Sequence, residues 1–425
     1  MAIDHFGYKT TETLENSHFD IFRICGTEVA IYKYKIPIKK IIINNREKEM
    51  HEMKIGVMKE VKPNEYRVAA IPSAVNELVR RGHEVIVEHD AGKGSGFSDA
   101  DYEAAGATIE ADTVKIWNTV DMIYKVKEIF PHEWEYLRKD MIVFTYIHSN
   151  AHLDQTEALM KSGCTSIAYE DISDDKGQWP LLSPMSELAG KGGFLAALNF
   201  AQSVHGGPGR LLANVCGAPA PVVTIIGAGN SGLGACELAA GFGCHVNVLD
   251  IDYEKMLKAK EVMPANVSFQ FSNRTNLLNC LKESDVVINC ILWPKTRKDH
   301  LINREDLKLM KPGAMIIDVA CDDEGAVETC RSTTHDDPIY YEEGILHYCV
   351  DNIPSAFSQT ASTTLSNATL PFAIAIANKG VEQALKDDKH LRRGLTTYDG
   401  KLCLLETAEK YNIPFCDPNE LVKEF

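Results

Sequence analysis

The chain lacks long apolar runs, paired-cysteine motifs and an excess of basic residues, and each absence removes a class of protein. No stretch of its 425 residues reaches the roughly 18 consecutive apolar residues typical of a membrane-spanning helix. Its 12 cysteines form no C-x-x-C pair and no cysteine–histidine cluster with zinc-ligand spacing, so we expect no metal site. Because many cysteines lie within apolar runs, we expect buried free thiols in a reducing compartment.

The charge balance also limits the expected partners. The formal net charge is −16, which repels a phosphate backbone, so we expect no nucleic-acid partner. The same charge disfavours anionic small molecules at long range. A site for a carboxylate would therefore need its own arginine or lysine.

The first 52 residues differ from the rest. The start, MAIDHFGYKT, has neither a basic region nor an apolar segment of a secretory signal, which leaves the cytoplasm as the expected location. A short apolar stretch and a charged run follow. We predict that residues 1–52 form a poorly ordered N-terminal extension and that the functional chain begins at Met50 or Met53.

From Met53 onward, strand and helix patterns alternate. KIGVM and HEVIVEH are strand-like, and between them Pro72 and Gly82 bound a helical pattern. A second unit, PVVTIIGAGNSGLGACELAAGFGCHVNVLD, shows strand, glycine-rich turn, helix and strand in order. Such alternation predicts an α/β fold of two Rossmann-like, doubly wound parallel-sheet domains with a cleft between them.

The positions of these patterns predict three parts in the chain. The extension occupies residues 1–52. A substrate and catalytic domain is expected to comprise residues 53–183 and 358–425, because the helical tail should pack back on the first domain. A dinucleotide-binding Rossmann domain is expected over residues 184–357.

The glycine-rich turn has the context of a dinucleotide site. Gly227, Gly229 and Gly232 follow an apolar strand and open a helix, and Asp250 ends the next strand about 20 residues later. The first glycine permits a tight turn, the second lets backbone amides approach a pyrophosphate, and the third allows close helix packing. Asp250 can accept both ribose hydroxyls of NAD and would repel the 2′-phosphate of NADP, so NAD is the expected cofactor.

Several further segments carry a family resemblance. They are KEVKPNEYRVAAIPSAVNELVRRGHEVIVEHDAGKGSGFSD, YKVKEIF with FTYIH, LLSPMSELAGK with HGGPGRLL, and DNIPSAFSQTASTTLSNATLP. Together with the glycine-rich turn, they resemble the alanine dehydrogenases and their relative, the NAD-binding subunit of transhydrogenase. The resemblance extends over about residues 53 to 423.

The resemblance implies a role for three basic residues. Arg67 is implied to grip the substrate carboxylate, which suits the two-pronged geometry of a guanidinium. Lys127 is implied to contact the substrate carboxylate and carbonyl, although alternation alone cannot distinguish it from Lys125. His148 is implied to be the catalytic acid and base, a role for which an imidazole that titrates near neutral pH is suited.

Other residues are implied to act beside the cofactor. Asp322 follows the strand MIIDVAC and is implied to orient the attacking water or ammonia, with Asp318 as the second choice. Ser186 and Asn352 match positions near the cofactor's phosphate and nicotinamide, although N-capping or turn formation would also explain them.

Some residues depart from the family pattern near the expected site. Asp323 and Glu324 replace a usual Gln-Gly, Asp351 replaces a usual alanine, and Trp293 lies in a loop that replaces a smaller one. These changes leave the expected catalytic chemistry in place, but they open the question of the substrate side chain.

The expected function is NAD-dependent oxidative deamination of a small L-amino acid, with L-alanine first, and the reverse reductive amination. One alternative is an opine-type synthase that joins a 2-oxo acid to an amino acid, because this chain shares with the carboxyethylornithine synthases the patterns TTxxDPIY and NxPS, seen here as TTHDDPIY and NIPS. Another alternative is a non-catalytic NAD-binding module like the transhydrogenase subunit. The expected partners are small amino acids or 2-oxo acids, without nucleic acid or membrane, and the resemblance implies a homohexamer.

Overall fold

The computed structural model describes residues 52–294, 297–321 and 325–425, and the backbone of two strands before them. Residues Met1–Met50 and His51–Phe425 form separate compact units. Within the first unit, strands Phe19–Ile24 and Thr27–Tyr32 pair antiparallel. The predicted poor order of residues 1–52 and the position of Asp322 lie outside the described residues.

The described residues contain 17 strands and 13 α-helices. The strands are β1 (Phe19–Ile24), β2 (Thr27–Tyr32), β3 (Lys54–Val57), β4 (Glu84–Glu88), β5 (Thr108–Glu110), β6 (Met122–Tyr124), β7 (Ile142–Thr145), β8 (Thr165–Ala168), β9 (Val222–Ile226), β10 (His245–Asp250), β11 (Val267–Phe271), β12 (Val286–Asn289), β13 (Met315–Asp318), β14 (Ile339–Glu342), β15 (Ile345–Tyr348), β16 (Leu395–Tyr398) and β17 (Lys401–Leu402). The helices are α1 (Pro72–Arg80), α2 (Asp99–Ala104), α3 (Thr113–Thr119), α4 (Leu153–Ser162), α5 (Ser183–Phe200), α6 (Asn230–Gly241), α7 (Tyr253–Val262), α8 (Arg274–Glu283), α9 (Ser358–Lys379), α10 (Val381–Asp387), α11 (Lys389–Arg393), α12 (Leu405–Tyr411) and α13 (Pro418–Leu421).

The first large sheet has eight strands in the order β17-β16-β8-β7-β6-β3-β4-β5. Strands β3 to β8 are parallel, and β16 and β17 add antiparallel strands at one end. The strand order reverses between β3 and β6, which is where sites open in doubly wound sheets. Strands such as β7 and β8 are buried along their whole length, which explains their continuous apolar sequence.

The second large sheet has seven strands in the order β11-β10-β9-β12-β13-β15-β14. All neighbours are parallel except β14, which pairs antiparallel with β15. Here the strand order reverses between β9 and β12. The glycine-rich turn directly follows β9 in the chain. The α/β fold with two doubly wound, mostly parallel sheets that the sequence predicts is therefore confirmed.

The C-terminal helices return to the first sheet. Helix α9 buries Leu365 and Ile376 in the same apolar cluster as Ile55 and Val57 of β3. The helix continues through Pro371, near its centre. Helix α9 therefore packs on the first sheet.

Helices α5 and α6 cross in very close contact, and glycines make this possible. A Cβ on Gly190 of α5 would lie 1.7 Å from the carbonyl oxygen of Ser231, and a Cβ on Gly234 of α6 would lie 2.7 Å from that of Glu187. The backbones can approach this closely only without side chains at those positions. Among the described residues, no helix is both long enough and apolar enough to cross a membrane.

Candidate active site

A cavity of about 370 Å³ lies where segments that follow strands of both large sheets meet. Lys127 and His148 reach it from the segments after β6 and β7, and Asn352 reaches it from the segment after β15. The lining residues are Arg67, Lys127, Tyr146, His148, Leu182, Met185, Ser186, Ala189, Ser231, Cys290, Leu292, Val319, Ala320, Asp351, Asn352 and Pro354. The structure thus brings together Arg67, Lys127, His148, Ser186 and Asn352 from distant parts of the chain.

Arg67 is buried and tightly held. Its Nε lies 2.7 Å from Glu65 Oε1 and its Nη2 lies 2.6 Å from Glu65 Oε2, a two-pronged ion pair. Nη2 also donates to Asn352 Oδ1 at 2.9 Å, and the Asn352 amide donates to Glu65 at 2.8 Å. Nη1 contacts the Met185 sulfur at 3.3 Å. Glu65 therefore fixes the guanidinium on one side and leaves Nη1 for a ligand.

The two lysines of KVK have different environments. Lys125 is fully buried and donates to Glu133 at 2.6 Å, and it does not line the cavity. Lys127 lines the cavity, with Glu128 Oε2 3.6 Å from its Nζ. Burial lowers the pKa of Lys127, because a cation loses hydration there. Strand periodicity places both lysines on the same face, and only the tertiary packing shows which of them reaches the cavity.

His148 stands in an unusual backbone conformation. Its φ is +51°, in the left-handed region that costs a non-glycine residue on the order of 1 kcal/mol. Its ring is parallel to that of Tyr146, with centroids 5.8 Å apart. Burial lowers the pKa of His148, and the positive charge of Lys127 lowers it further. The imidazole is therefore neutral at neutral pH.

Glu170, after β8, supports the His148 segment, and no motif in the sequence indicated this role. Its Oε1 accepts the backbone N–H groups of Ile147 at 3.1 Å and His148 at 2.5 Å, and lies 3.6 Å from His148 Nδ1. These bonds offset the strain at His148. Burial raises the pKa of Glu170, and burial also raises that of Asp171. Glu65, Tyr146 and Glu170 adjoin the predicted site without having been predicted. Glu65 and Tyr146 lie two residues before Arg67 and His148 in the sequence, whereas only the fold brings Glu170 near the site.

A groove of about 700 Å³ adjoins the cavity and shares Cys290 and Leu292 with it. Gly227 and Gly229 line it together with Asp250. The Asp250 carboxylate accepts the Ala228 N–H at 2.6 Å, which ties the glycine-rich turn to the end of β10.

Each of the three positions in the turn requires or accommodates glycine for a different structural reason. Gly227 has a φ of +103°, a conformation that side chains disfavour. A Cβ on Gly232 would lie 1.8 Å from the Gly227 carbonyl oxygen, so α6 could not pack as it does. Gly229 has no atom within 4 Å of its would-be Cβ, which leaves open space beside the N-terminus of α6. That space suits a pyrophosphate at the positive end of a helix dipole.

The remaining predicted residues have ordinary local contacts. Ser186 lies in α5 and its hydroxyl donates to the Leu182 carbonyl at 3.2 Å while the residue lines the cavity. Asp318, the second choice for the acidic role, is buried and accepts the Asn289 amide at 2.8 Å and the Ala320 N–H at 3.2 Å. Its hydrogen bonds connect the ends of β12 and β13. Trp293 lines the groove beside Asp250, with the Arg297 guanidinium 4.3 Å from its ring.

A nucleotide-binding sheet whose glycine-rich groove opens beside a cavity with basic side chains defines an oxidoreductase of the pyridine-nucleotide-dependent class. Models of "Alanine dehydrogenase/PNT" match the chain at residues 56–189 for the N-terminal domain and 194–404 for the C-terminal domain. The chain belongs to the alanine dehydrogenase/PNT family.

Individual relatives agree with this assignment. An alanine dehydrogenase of Halomonas elongata is 43% identical over 370 residues, which is 87% of this chain and 100% of that protein. One of Geobacillus stearothermophilus is 40% identical, with the same shares covered. A solved L-alanine dehydrogenase superposes with a TM-score of 0.81 at 37% identity, covering 85% of this chain and 99% of that one. A transhydrogenase from Sinorhizobium meliloti, with a TM-score of 0.70 at 23% identity and shares of 83% and 99%, has the same fold.

Proposed function

We propose that the chain catalyses NAD-dependent oxidative deamination of L-alanine to pyruvate and ammonium, and the reverse reductive amination. The observation that carries the proposal is the meeting of Arg67, Lys127 and His148 in one cavity beside the nucleotide groove. The relatives named alanine dehydrogenase, which align over their whole length, support it.

Arg67 and Lys127 are proposed to bind the substrate carboxylate. The Nη1 group of Arg67 is the part of the guanidinium that Glu65 leaves for a ligand. Both cations line the cavity, and a guanidinium and an ammonium group can each bind a carboxylate oxygen. These two side chains would attract a carboxylate locally, although the chain as a whole is acidic.

His148 is proposed to move protons at the reacting carbon. In the oxidative direction its neutral imidazole accepts a proton from the water that attacks the imine carbon, and the imidazolium then returns a proton to the departing amine. Glu170 holds the His148 backbone through its two backbone hydrogen bonds, so it acts as a positioning residue. Asp322 is proposed, from the resemblance, to orient the same water.

NAD is the proposed cofactor. The pyridine nucleotide supplies a hydride acceptor for the substrate Cα–H. Asp250 is proposed to accept the adenosine ribose hydroxyls, and Gly227, Gly229 and Gly232 to let the pyrophosphate reach the N-terminus of α6. Ser186 and Asn352 are proposed to lie near the phosphate and nicotinamide.

The organisation of the chain is proposed from the sequence and the family. Residues 53–183 with 358–425 form the catalytic part and residues 184–357 the NAD-binding part, and closure between them excludes water from the cavity. We further propose a cytoplasmic location and a homohexamer. Sedimentation of the purified protein tests the assembly.

A second candidate is an opine-type synthase, and Asp351 favours it. Asp351 lines the cavity, and a carboxylate there would attract the ammonium group or basic side chain of an amino-acid donor. Such an enzyme would join pyruvate to that amine in place of ammonium.

One assay distinguishes the two candidates. Oxidation of NADH by the purified protein is followed with pyruvate and either ammonium or a panel of amino acids, and NADPH is compared with NADH. Turnover with ammonium and NADH supports the alanine reaction. Turnover with ornithine or lysine but not with ammonium replaces it with the synthase, and a preference for NADPH contradicts the role of Asp250.

A further inference from the structure

Lys127 lies beyond the end of β6, where the regular hydrogen-bond ladder of the sheet stops. Strand β6 ends at Tyr124 and lies between β3 and β7 in the sheet. Lys127 is buried, and a buried backbone group without a partner is costly. Its N–H and carbonyl groups therefore need partners from elsewhere in the fold.

Glu60 supplies the acceptor from one side. It lies in the segment after β3, and its Oε1 accepts the Val126 N–H at 2.6 Å and the Lys127 N–H at 3.2 Å. The Glu60 side chain is buried, and none of the described residues hydrogen-bonds to its Oε2. One oxygen of Glu60 thus holds two consecutive N–H groups of residues 125–127, the Lys127 segment.

Thr145 supplies the donor from the other side. It is the last residue of β7 and is completely buried. Its hydroxyl donates to the Lys127 carbonyl at 2.8 Å. One residue earlier in the segment, the Val126 carbonyl still accepts an ordinary backbone bond, from the Tyr146 N–H at 3.3 Å. At Lys127, side chains therefore replace the backbone ladder on both sides of the residue.

The segment that carries His148 is held in a similar way. Glu170 accepts two consecutive backbone N–H groups, those of Ile147 and His148, with its Oε1. Glu60 does the same for the Lys127 segment. Each of the two segments that bring a proposed reacting side chain to the cavity is thus fixed by a buried carboxyl group from an adjoining segment.

We propose that Glu60 and Thr145 are positioning residues for Lys127, which hold its backbone so that its ammonium group meets the substrate carboxylate. Neither residue is among those that line the cavity, so each acts through Lys127. The inference rests on the proposed function of Lys127, whereas the hydrogen bonds to its backbone do not.

The inference requires an accepting oxygen at Glu60 and not its charge. Burial raises the pKa of Glu60, while the positive charge of Lys125 and the bond from the Val126 N–H oppose this rise. An oxygen of a carboxylate, a carboxylic acid or an amide accepts an N–H group. E60Q therefore keeps the acceptor, whereas E60M puts a weakly accepting sulfur in its place.

The test measures kcat and the KM for pyruvate in the NADH assay, and NADH binding by fluorescence titration. E60M should raise the KM for pyruvate about tenfold or more, because displacement of a binding group by about 1 Å can cost about 10²-fold. T145V, which removes the hydroxyl at nearly constant shape, should raise it about fivefold, the effect of one ordinary hydrogen bond. E60Q should stay within about twofold of the wild type because its oxygen still accepts. NADH affinity should stay as in the wild type in all three variants, since neither Glu60 nor Thr145 lines the nucleotide groove.

Two kinds of comparison complete the experiment. K127M gives the size of the loss when the lysine itself is removed, and E103M in α2 and T119V at the end of α3 are matched controls at exposed sites, which should behave like the wild type. Hydrogen–deuterium exchange of the Lys127 segment is a readout that does not depend on turnover. Exchange should be faster in E60M and T145V than in E60Q and the wild type.

The proposal is overturned if K127M raises the KM for pyruvate while E60M and T145V leave it unchanged. It is also overturned if E60Q has a strongly raised KM, which would assign the effect to the charge, or if NADH affinity falls as far as pyruvate affinity, which would indicate a general structural loss. E60Q and T145V keep the test decisive if E60M does not fold. An unchanged KM in K127M, or a wild type without turnover, contradicts the proposed function instead, and the exchange rates then still show whether Glu60 and Thr145 hold the segment.

Discussion

Arg67 is paired with Glu65 before any substrate arrives, and this determines what a substitution there does. R67K keeps the charge but loses the fork that bonds Glu65 and Asn352 at the same time. We expect the KM for pyruvate and for alanine to rise about tenfold or more, equivalent to at least about 1.4 kcal/mol of binding. Steady-state kinetics measures this, with R81K at the exposed end of α1 as the control. An unchanged KM would remove Arg67 from substrate binding.

His148 is the residue on which proton transfer depends in the proposed mechanism. H148A should lower kcat by about 10² to 10⁴, the usual range for loss of a general acid or base. NADH binding, followed by fluorescence titration, should stay as in the wild type because His148 does not line the nucleotide groove. H205A, at an exposed histidine, is the control. Turnover retained by H148A contradicts the assignment.

The buried carboxyls Glu170 and Asp171 predict a pH-dependent stability. Burial raises the pKa of Glu170 to about 7 and that of Asp171 to about 8, so the folded protein binds these protons more tightly than the unfolded chain does. Their stabilising contribution is present at low pH and is lost as the pH rises through about 7 to 8. Urea unfolding should therefore show a free energy of unfolding that falls between about pH 5 and pH 8.

The variant D171N removes one of these groups without touching the cavity. It should make that decline smaller, since a proton bound only in the folded state changes the free energy of unfolding by about 1.4 kcal/mol for each pH unit. A decline of the same size in D171N and in the wild type would show that Asp171 does not bind the proton.

At the scale of elements, α6 offers two glycines with opposite expected effects. In G232A the added methyl would lie 1.8 Å from the Gly227 carbonyl oxygen, so the turn and the helix must separate. We expect a lower melting temperature and loss of NADH binding. G241A, at the other end of the helix, meets no atom within 4 Å. It should be neutral or stabilise by up to about 1 kcal/mol, because alanine favours helix.

Thermal unfolding with and without NADH separates these outcomes. If G232A bound NADH with the affinity of the wild type, the glycine-rich turn would not be the nucleotide site. If G241A were destabilised as strongly as G232A, the loss would come from the helix and not from the close contact.

At the scale of the whole molecule, the compact unit His51–Phe425 contains the candidate active site. The curated relatives align with 87% of this chain while being covered completely themselves. A chain that starts at Met53 is therefore expected to fold and to keep its activity within about twofold of the full chain, a change of less than about 0.5 kcal/mol. Circular dichroism and the NADH assay measure both properties. Loss of folding or activity would assign residues 1–52 a structural role.

The sequence by itself determined the α/β alternation, the glycine-rich turn with Asp250, and the residue types that a carboxylate-binding oxidoreductase needs. These are local signals, because a strand pattern, a tight turn and a helix start each arise within a few consecutive residues. The start of α6 at Asn230, before the first apolar residues of its pattern, could not be predicted.

Only the tertiary structure decided which charged groups meet. Lys125 and Lys127 share one strand pattern. In the folded chain, however, Lys125 donates to Glu133 and Lys127 lines the cavity. Glu170 lies 22 residues after His148 in the sequence, and no spacing rule predicts its contact with that residue. The physical reason is that local backbone preferences depend on neighbours in sequence, whereas ion pairs, burial and pKa depend on neighbours in space, which the winding of two sheets supplies.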